Sequence, residues 1–242
     1  MAQASDRGLR REINEDSVLA RYPIYAVADG MGGHEAGEVA SRICVESLAD
    51  NQDLLAAGDH ISPEHITQAL MMADSAIRAA TDERAGTTVS GAVLVRDAGM
   101  PQWLIFNLGD SRTYRLGKGG LERVTVDHSE VQELMDLGHI TAEEAQYHPR
   151  RHVVTRALGL GTENSADFWL LPVTDGDRIL ICSDGLTGEL GDDRIAEILS
   201  ADGDPERTCT DLIRAALQSG GRDNVSVVVL DAASVTGPVP AQ

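Results

Sequence analysis

Four short apolar runs along the chain predict buried strands, because each is rich in aliphatic or β-branched residues and is bounded by turn residues. An aspartate stands at one end of every run, next to Gly, Ser or Asn. These aspartates are Asp29, Asp110, Asp184 and Asp223. A single aspartate of this kind is ordinary turn chemistry. Four of them at strand ends of one domain can meet at one end of a sheet, where their charges repel unless cations neutralise them.

The stretch VADGMGGHEAGEVAS, residues 27–41, combines such an aspartate with four glycines. We expect the strand at 25–28 to stop at Asp29-Gly30. A helix is expected from Glu38 onward, on the helical spacing of three apolar residues, Val39, Ile43 and Leu48. A carboxylate at a strand end beside flexible backbone is typical of a site for a hard metal ion. The alternative is a plain strand-to-helix turn.

Two longer segments have the 3.6-residue period of amphipathic helices. The first begins with Ser62 as N-cap and Pro63 as first helical residue and runs for about five turns. Its predicted inner face holds Ile66, Ala69, Leu70, Ala73, Ala76, Ile77 and Ala80. The second begins at Asp204-Pro205 and ends at Gly220. Its predicted inner face holds Cys209, Leu212, Ile213, Ala216 and Leu217.

Residues 127–159 differ in character from the strand-rich segments before them. They are polar, with short helices predicted at 130–137 and 141–146, the second on a capping box of Thr141 and Glu144. Four histidines lie here, and HPRRH forms a small basic cluster in an acidic chain. We interpret the segment as an insertion over one end of the sheet that can act as a lid. The scattered histidines are interpreted as surface residues.

Composition and charge exclude several classes of partner. The chain has 242 residues with 39 acidic and 20 basic side chains, which gives a formal net charge of −19. Nucleic acids and anionic membranes are therefore not expected as partners, since clustered lysine and arginine bind them. Three cysteines without paired spacing indicate a reducing compartment. With no signal peptide and no apolar run of the ~18 to 20 residues that a membrane helix needs, we expect a cytoplasmic protein.

Eight motifs in a fixed order carry a resemblance to a known family. They are REINEDS, VADGMGGHEAGEVAS, GTTVSGAVL, NLGDSRTYRL, VDHS, TRALG, ICSDGLT and GGRDNVSVVVL. The chain resembles the metal-dependent serine/threonine protein phosphatases of type 2C, the PPM family, in their bacterial form. The resemblance implies an α+β fold, a four-layer αββα sandwich in which two antiparallel sheets are flanked by helix pairs. It also implies a metal channel at one end of the sandwich.

The resemblance sets the expected domain organisation. It implies a single catalytic domain over residues 1–231. Within that domain, the segment at about 127–159 matches the flap that borders the family's active site. Residues 232–242 are small and Pro-containing, and we expect them to form a disordered tail.

The resemblance also implies a set of metal ligands. A two-metal centre would be held by the Gly30 carbonyl and by Asp29, Asp184 and Asp223. Asp16 would act mainly through metal-bound water. Asp110 matches an aspartate that helps to hold a third, weaker ion in bacterial members. Carboxylate and carbonyl oxygens favour Mn²⁺ or Mg²⁺ over zinc.

Two further residues are implied as catalytic. Arg11 would bind the substrate phosphate, because its planar fork suits phosphate oxygens. Many eukaryotic relatives have a histidine directly after the Asp-Gly as their proposed general acid, and here that position is Met31. The nearest histidine is His34. His34 and a water on the third ion are therefore the two candidates for the general acid.

The implied reaction is hydrolysis of phosphoserine and phosphothreonine in proteins by a metal-activated hydroxide, without a phosphoenzyme. The expected partners are a bacterial kinase of the eukaryotic Ser/Thr type and its phosphorylated targets, and we expect a monomer. A cysteine-based phosphatase is excluded because no cysteine has an arginine six residues further on. The alternative is a catalytically inactive member that binds phosphoproteins as a scaffold. The intact set of aspartates favours the enzyme.

Overall fold

The computed structural model describes residues 1–32, 36–161 and 165–233. Its strands are β1 (Ala2–Asp6), β2 (Asp16–Arg21), β3 (Ile24–Gly32), β4 (Ala85–Thr87), β5 (Val89–Asp97), β6 (Met100–Leu108), β7 (Arg112–Gly117), β8 (Gly120–Arg123), β9 (Asp167–Pro172), β10 (Arg178–Cys182) and β11 (Val225–Asp231). Its helices are α1 (Ala36–Ala49), α2 (Gln52–Ala57), α3 (Pro63–Thr81), α4 (Glu130–Asp136), α5 (Ala142–Tyr147), α6 (Asp184–Thr187), α7 (Asp192–Ser200) and α8 (Pro205–Ser219), with a 3-10 turn at Gly58–His60.

The strands build two antiparallel sheets that face each other. One sheet has the order β1-β11-β10-β7-β8, and the other has the order β2-β3-β5-β6-β9 with β4 paired to β3. All of these strand pairs are antiparallel. The facing sides share one apolar core, to which β3 contributes Tyr25 and Val27, β6 contributes Ile105, and β10 contributes Ile179 and Ile181.

Strand β10 is buried on both faces, which is why its residues form a continuous apolar run instead of an alternating one. Ile179 and Ile181 face the other sheet, whereas Leu180 and Cys182 belong to a core shared with α6, α7 and α8. The second sheet packs in the same way against α1 and α3 through a separate core. The layers therefore follow the order helix, sheet, sheet, helix. This confirms the predicted α+β, four-layer αββα sandwich.

Strand β3 extends further than the sequence indicates. The expected stop at Asp29-Gly30 is wrong, because β3 continues to Gly32. Beyond Asp29 the strand finds new backbone partners in β4, where Gly30 pairs with Thr87. On its other side, Asp29 is the register partner of Asp16 in β2. Asp29 is therefore held inside a strand and not on a flexible turn.

The long helices α3 and α8 begin where their capping residues predict. The Ser62 N–H donates to the His65 ring at 3.1 Å at the start of α3. The Asp204 carboxylate accepts from the Arg207 N–H at 2.8 Å at the start of α8. In each hydrogen bond, a side chain accepts from a backbone N–H group at a helix start, where such groups lack partners within the helix.

The predicted inner face of α3 is wrong at two positions. Ala76 and Ala80 are exposed, whereas the polar residues Asp74 and Thr81 are buried. Burial is possible because both are hydrogen-bonded. Asp74 accepts from the Gly159 N–H at 2.7 Å, and the Thr81 hydroxyl donates to the preceding turn of the helix at 2.9 Å. A hydrophobic pattern cannot reveal polar residues that are buried with partners.

The 127–159 segment contains its two predicted helices, α4 and α5. The predicted capping box of Thr141 and Glu144 is confirmed, with the Thr141 N–H donating to the Glu144 carboxylate at 2.8 Å. Strand β9 has no predicted counterpart, because its short apolar sequence DFWLLP is ambiguous when read alone. None of the described helices is long and apolar enough to cross a membrane. From position 234 onward, the predicted tail lies outside the described residues.

We predict that Ile105→Ala lowers the free energy of unfolding by about 2–5 kcal/mol, because it leaves a cavity in the core between the sheets. Urea unfolding followed by circular dichroism measures the change. Met71→Ala is the control, since Met71 is 59% exposed on α3 and its loss should change stability by less than about 0.5 kcal/mol. An equal loss in both variants would contradict the assignment of Ile105 to the central core.

Candidate active site

The aspartates predicted from the sequence lie around one large pocket. Because the strands are antiparallel, the ends of β6 and β10 and the starts of β2 and β11 meet at one end of the sandwich. The pocket there has a volume of about 1570 Å³ and is also lined by residues of the 127–159 segment. Among the predicted site residues, the lining includes Arg11, Asp29, Gly30, Asp110, Asp184 and Asp223. Asp16 is buried beside it, at 8% exposure.

Backbone register brings the first two carboxylates together. Asp16 and Asp29 are directly paired residues of β2 and β3. The Asp29 carbonyl accepts hydrogen bonds from the Thr88 N–H and the Thr87 hydroxyl, each 2.9 Å long. The Ser183 hydroxyl donates to Asp16 Oδ2 at 2.8 Å, which links β2 to the end of β10. Both sheets therefore contribute to the position of these two aspartates.

Two glycines allow the loops around the pocket to approach closely. A Cβ on Gly30 would stand 2.1 Å from the Gly37 carbonyl oxygen. A Cβ on Gly185 would stand 1.8 Å from the Asn224 carbonyl oxygen. Any larger residue at either position would push apart the backbone segments that carry the aspartates. The Asp-Gly pairs of the sequence are therefore explained by close packing as much as by turn chemistry.

Burial and mutual repulsion disfavour the charged form of these carboxyls. Burial raises the pKa of Asp16 to about 7, and the charges of Asp184 and Asp223 add to the rise. Burial also raises the pKa of Asp29 well above its usual value, with Asp16 and Asp184 as the next causes. The pKa of Asp110 is raised by burial and then by Asp184. Burial also raises the pKa of Asp184, and the charge of Asp223 is the next cause.

Two buried carboxylate oxygens in the described part of the chain have no hydrogen-bond partner, Glu15 Oε1 and Asp16 Oδ1. Such an oxygen is costly, and a cation is one of the few partners that can satisfy it. Among residues 1–32, 36–161 and 165–233, no three His, Cys, Asp or Glu side chains already enclose a space for an ion. Ions held here would therefore take part of their coordination shell from backbone carbonyls and water, as Mg²⁺ usually does. With backbone carbonyls and water completing the coordination shell, the carboxylate oxygens of the pocket fit hard divalent cations.

Arg11 enters the same pocket from the loop before β2. Its Nη2 donates to Asp223 Oδ2 at 2.6 Å. This hydrogen bond is the main cause that raises the pKa of Arg11. The side chain is 49% exposed, so part of the guanidinium remains accessible. An arginine held on one side by a carboxylate keeps N–H donors for a planar or tetrahedral oxyanion.

Other charged residues of the pocket were not predicted as site residues, although Arg112, Asp127 and Arg222 lie in the motifs. Arg112 Nη2 donates to Asp127 Oδ2 at 2.6 Å. This contact joins the GDSR motif to the VDHS motif across the pocket wall. Arg222 Nε donates to Glu189 Oε1 at 2.9 Å. The presence of Arg112 and Asp127 in two of the motifs was the available signal in the sequence. Sequence spacing alone does not reveal which residues pair.

The position directly after Asp29-Gly30, where many eukaryotic relatives have a histidine, cannot supply the general acid here. Met31 lines the pocket, and its thioether has no proton to give. His34 lies outside the described residues, so its geometry carries no argument.

Comparisons with known proteins agree with this geometry. The family model for protein phosphatase 2C matches residues 10–219. Serine/threonine protein phosphatase PstP of Mycobacterium tuberculosis is 42% identical over 237 residues, which cover 95% of this chain and 44% of that protein. Serine/threonine phosphatase stp of Listeria monocytogenes is 34% identical over 242 residues, which cover 94% of this chain and 93% of that protein. The chain thus spans less than half of the mycobacterial relative and nearly all of the listerial one.

A solved structure gives the same result for the fold. The crystal structure of the catalytic domain of PstP in complex with two manganese ions has a TM-score of 0.82 and 38% sequence identity. The match covers 96% of this chain and 97% of that chain. The family model spans most of the sequence, and the sandwich with its acidic pocket has the expected architecture. The chain belongs to the protein phosphatase 2C family.

Proposed function

We propose that the protein is a divalent-metal-dependent phosphatase that hydrolyses phosphoserine and phosphothreonine in other proteins. The observation that carries this proposal is the group of buried aspartates beside the half-exposed Arg11 in one accessible pocket. A cluster of uncompensated carboxylates suits divalent cations, and an adjacent arginine suits a phosphate. Relatives named as serine/threonine phosphatases, and the manganese ions bound to one of them, support the same activity.

We assign the ion ligands to the aspartates around the pocket and to one backbone carbonyl. Two ions would be held by the Gly30 carbonyl and by Asp29, Asp184 and Asp223. Asp16 would act through water, and its buried Oδ1 without a hydrogen-bond partner among the described residues fits that role. Asp110, whose pKa is raised by Asp184 after burial, would help to hold a third, weaker ion. Oxygen ligands alone favour Mn²⁺ or Mg²⁺.

When bound, the ions would supply hydroxide as the nucleophile at neutral pH, and positive charge opposite the phosphoryl oxygens. The residues of the chain bind and orient the substrate. Arg11 would bind phosphate oxygens through the donors that Asp223 leaves unused, which fixes the phosphate against the aspartates. Residues of the 127–159 segment also line the pocket and would limit the access of bulk water.

A covalent route through cysteine does not fit the structure. Cys44, Cys182 and Cys209 are free and buried. Burial raises the pKa of Cys44 and of Cys182 to about 12. A thiol with that pKa is protonated at neutral pH, and none of the three lines the pocket. We therefore propose direct attack on phosphorus without a cysteine intermediate.

We further propose that the substrates are phosphorylated proteins, among them a Ser/Thr kinase of the eukaryotic type and its targets. A pocket of about 1570 Å³ is large enough for a peptide segment and not only for a phosphate group. We place the protein in the cytoplasm as a monomer, and its free cysteines support a reducing compartment.

We predict that a phosphothreonine peptide is hydrolysed by the purified protein, that chelation abolishes the activity, and that added Mn²⁺ or Mg²⁺ restores it. Asp184→Asn should lower kcat by at least about 10²-fold, the order of loss seen when one charge-stabilising group is removed from an active site. Release of inorganic phosphate measures the rate.

Asp97→Asn is the matched control, because Asp97 is exposed at the end of β5 away from the pocket. It should retain wild-type activity. Folded protein that shows no activity with any divalent cation, but binds phosphoproteins, would instead favour the inactive scaffold.

We predict that the metal-free protein becomes less stable as pH rises from about 4 to about 7. The folded-state pKa of Asp16 is about 7, against 3.8 for an unperturbed aspartate. Between these values the folded state binds more protons than the unfolded state, so the free energy of unfolding falls with rising pH. Urea unfolding in chelator at several pH values measures the slope, and Asp16→Asn should make it shallower. A wild-type slope no steeper than that of the variant would contradict the raised pKa.

His34 and a water on the third ion are the two candidates we propose for the general acid, and the leaving group distinguishes them. A threonine alkoxide needs a proton, whereas p-nitrophenolate leaves without one. His34→Ala should therefore lower kcat on a phosphothreonine peptide by about 10²-fold while leaving p-nitrophenyl phosphate hydrolysis nearly unchanged. Equal losses on both substrates would assign His34 to binding or structure, and no loss on either would leave water on the third ion as the candidate.

A further inference from the structure

Asn224 joins two loops of the pocket through its side-chain amide. The residue is 5% exposed and follows Asp223 directly. Its Oδ1 accepts a hydrogen bond from the Glu15 N–H at 2.8 Å. Its Nδ2 donates to the carbonyl oxygens of Arg7 and Ile13, both at 2.9 Å. All three partners are main-chain groups of the loop between β1 and β2, which has no helix or strand of its own.

These hydrogen bonds bracket Arg11 along the chain. The Arg7 carbonyl lies on one side of Arg11 in sequence, and the Ile13 carbonyl and Glu15 N–H lie on the other. An asparagine side chain suits this position because it combines an acceptor oxygen with two N–H donors. Aspartate would lack the donors, and an apolar residue would take this partner away from all three main-chain groups.

The same two loops also meet through their backbones. The Leu9 N–H donates to the Gly221 carbonyl oxygen at 2.7 Å. A Cβ on Gly8 would stand 2.1 Å from the Asp223 carbonyl oxygen, and the φ of +77° at Gly8 favours glycine. These contacts hold the loop before Arg11. After Arg11, the Asn224 amide contacts Ile13 and Glu15, and the Glu15 carbonyl oxygen also accepts from the Gly30 N–H at 3.2 Å.

The carboxylate of Asp223 is held between the two loops. The Asn224 backbone N–H donates to Asp223 Oδ1 at 2.8 Å, and Arg11 Nη2 donates to Oδ2 at 2.6 Å. Asn224 contacts the loop that carries Arg11. The position of this loop therefore determines the direction of the Arg11 guanidinium.

We propose that Asn224 is a positioning residue for Arg11. Its amide holds the loop in a position in which one edge of the Arg11 guanidinium contacts Asp223. The other N–H donors of Arg11 then point to the phosphate site. The proposal rests on the proposed function, in which Arg11 binds the substrate phosphate. Asn224 itself does not touch the substrate and acts through the loop.

A double-mutant cycle tests the proposal with a phosphothreonine peptide at saturating Mn²⁺. Asn224→Ala should raise KM by roughly tenfold and lower kcat by less than about threefold, since one charged hydrogen bond to the substrate is weakened. The Ki for inorganic phosphate should rise in parallel. In the Arg11→Ala background, Asn224→Ala should alter KM by less than about twofold, because Arg11, through which Asn224 acts, is already absent. An equal rise in KM in both backgrounds would overturn the proposal.

Amide hydrogen exchange in chelator gives a readout that needs no activity. Asn224→Ala should speed exchange in a peptide covering residues 7–16 and leave α3 and α8 unchanged, which also shows that the variant is folded. Unchanged exchange over 7–16 would overturn the proposal. If the wild type proves inactive, the proposed function fails, and hydrogen exchange still decides whether Asn224 holds the loop.

Asn51→Ala is the matched control. Asn51 also accepts hydrogen bonds from two backbone N–H groups, those of Asp53 and Leu54, but at the N-cap of α2 away from the pocket. It should leave KM and the exchange of residues 7–16 unchanged. A rise in KM there as large as that of Asn224→Ala would overturn the proposal, because general destabilisation would then explain both.

Discussion

Close packing of buried carboxylates is the constraint on which the rest of this structure depends. Without cations, the cost is visible in two ways: in the raised pKa values of the carboxyls, and in two buried carboxylate oxygens, on Glu15 and Asp16, that lack hydrogen-bond partners among the described residues. No part of this arrangement is favourable by itself. It persists because packed sheets and loops hold the carboxyls in place, and divalent cations are the partners that would remove the cost.

Each of the two sheets contributes some of these carboxyl groups. Asp29 belongs to one sheet and Asp184 follows β10 of the other, while the Ser183 hydroxyl reaches across to Asp16. Gly185 lets the Asn224 backbone approach, and the Asn224 amide seats the loop of Arg11. The pocket therefore forms only when the sheets are packed together, so ion binding and folding are expected to stabilise each other.

Much of this architecture could be predicted from local patterns, and the rest could not for physical reasons. The apolar runs predicted β6, β10 and β11, and the helical period with its caps predicted α3 and α8. The continuation of β3 depends on pairing with β4, a partner more than fifty residues away in sequence. Asp74 is buried in α3 because it bonds to Gly159. Asp110, Asp184 and Asp223 lie next to strand ends as predicted, whereas Asp29 lies inside β3. The Arg112–Asp127 and Asn224 contacts depend on three-dimensional proximity.

A titration of the chelated protein with Mn²⁺ by isothermal calorimetry tests the central claim most directly. The account predicts saturable binding of at least two ions per chain, with a rise in melting temperature, and weaker binding of fewer ions to Asp29→Asn. Ions should restore the charge balance that the metal-free carboxylates lack. Folded protein that binds no Mn²⁺, or whose binding is unchanged in Asp29→Asn, would contradict the account.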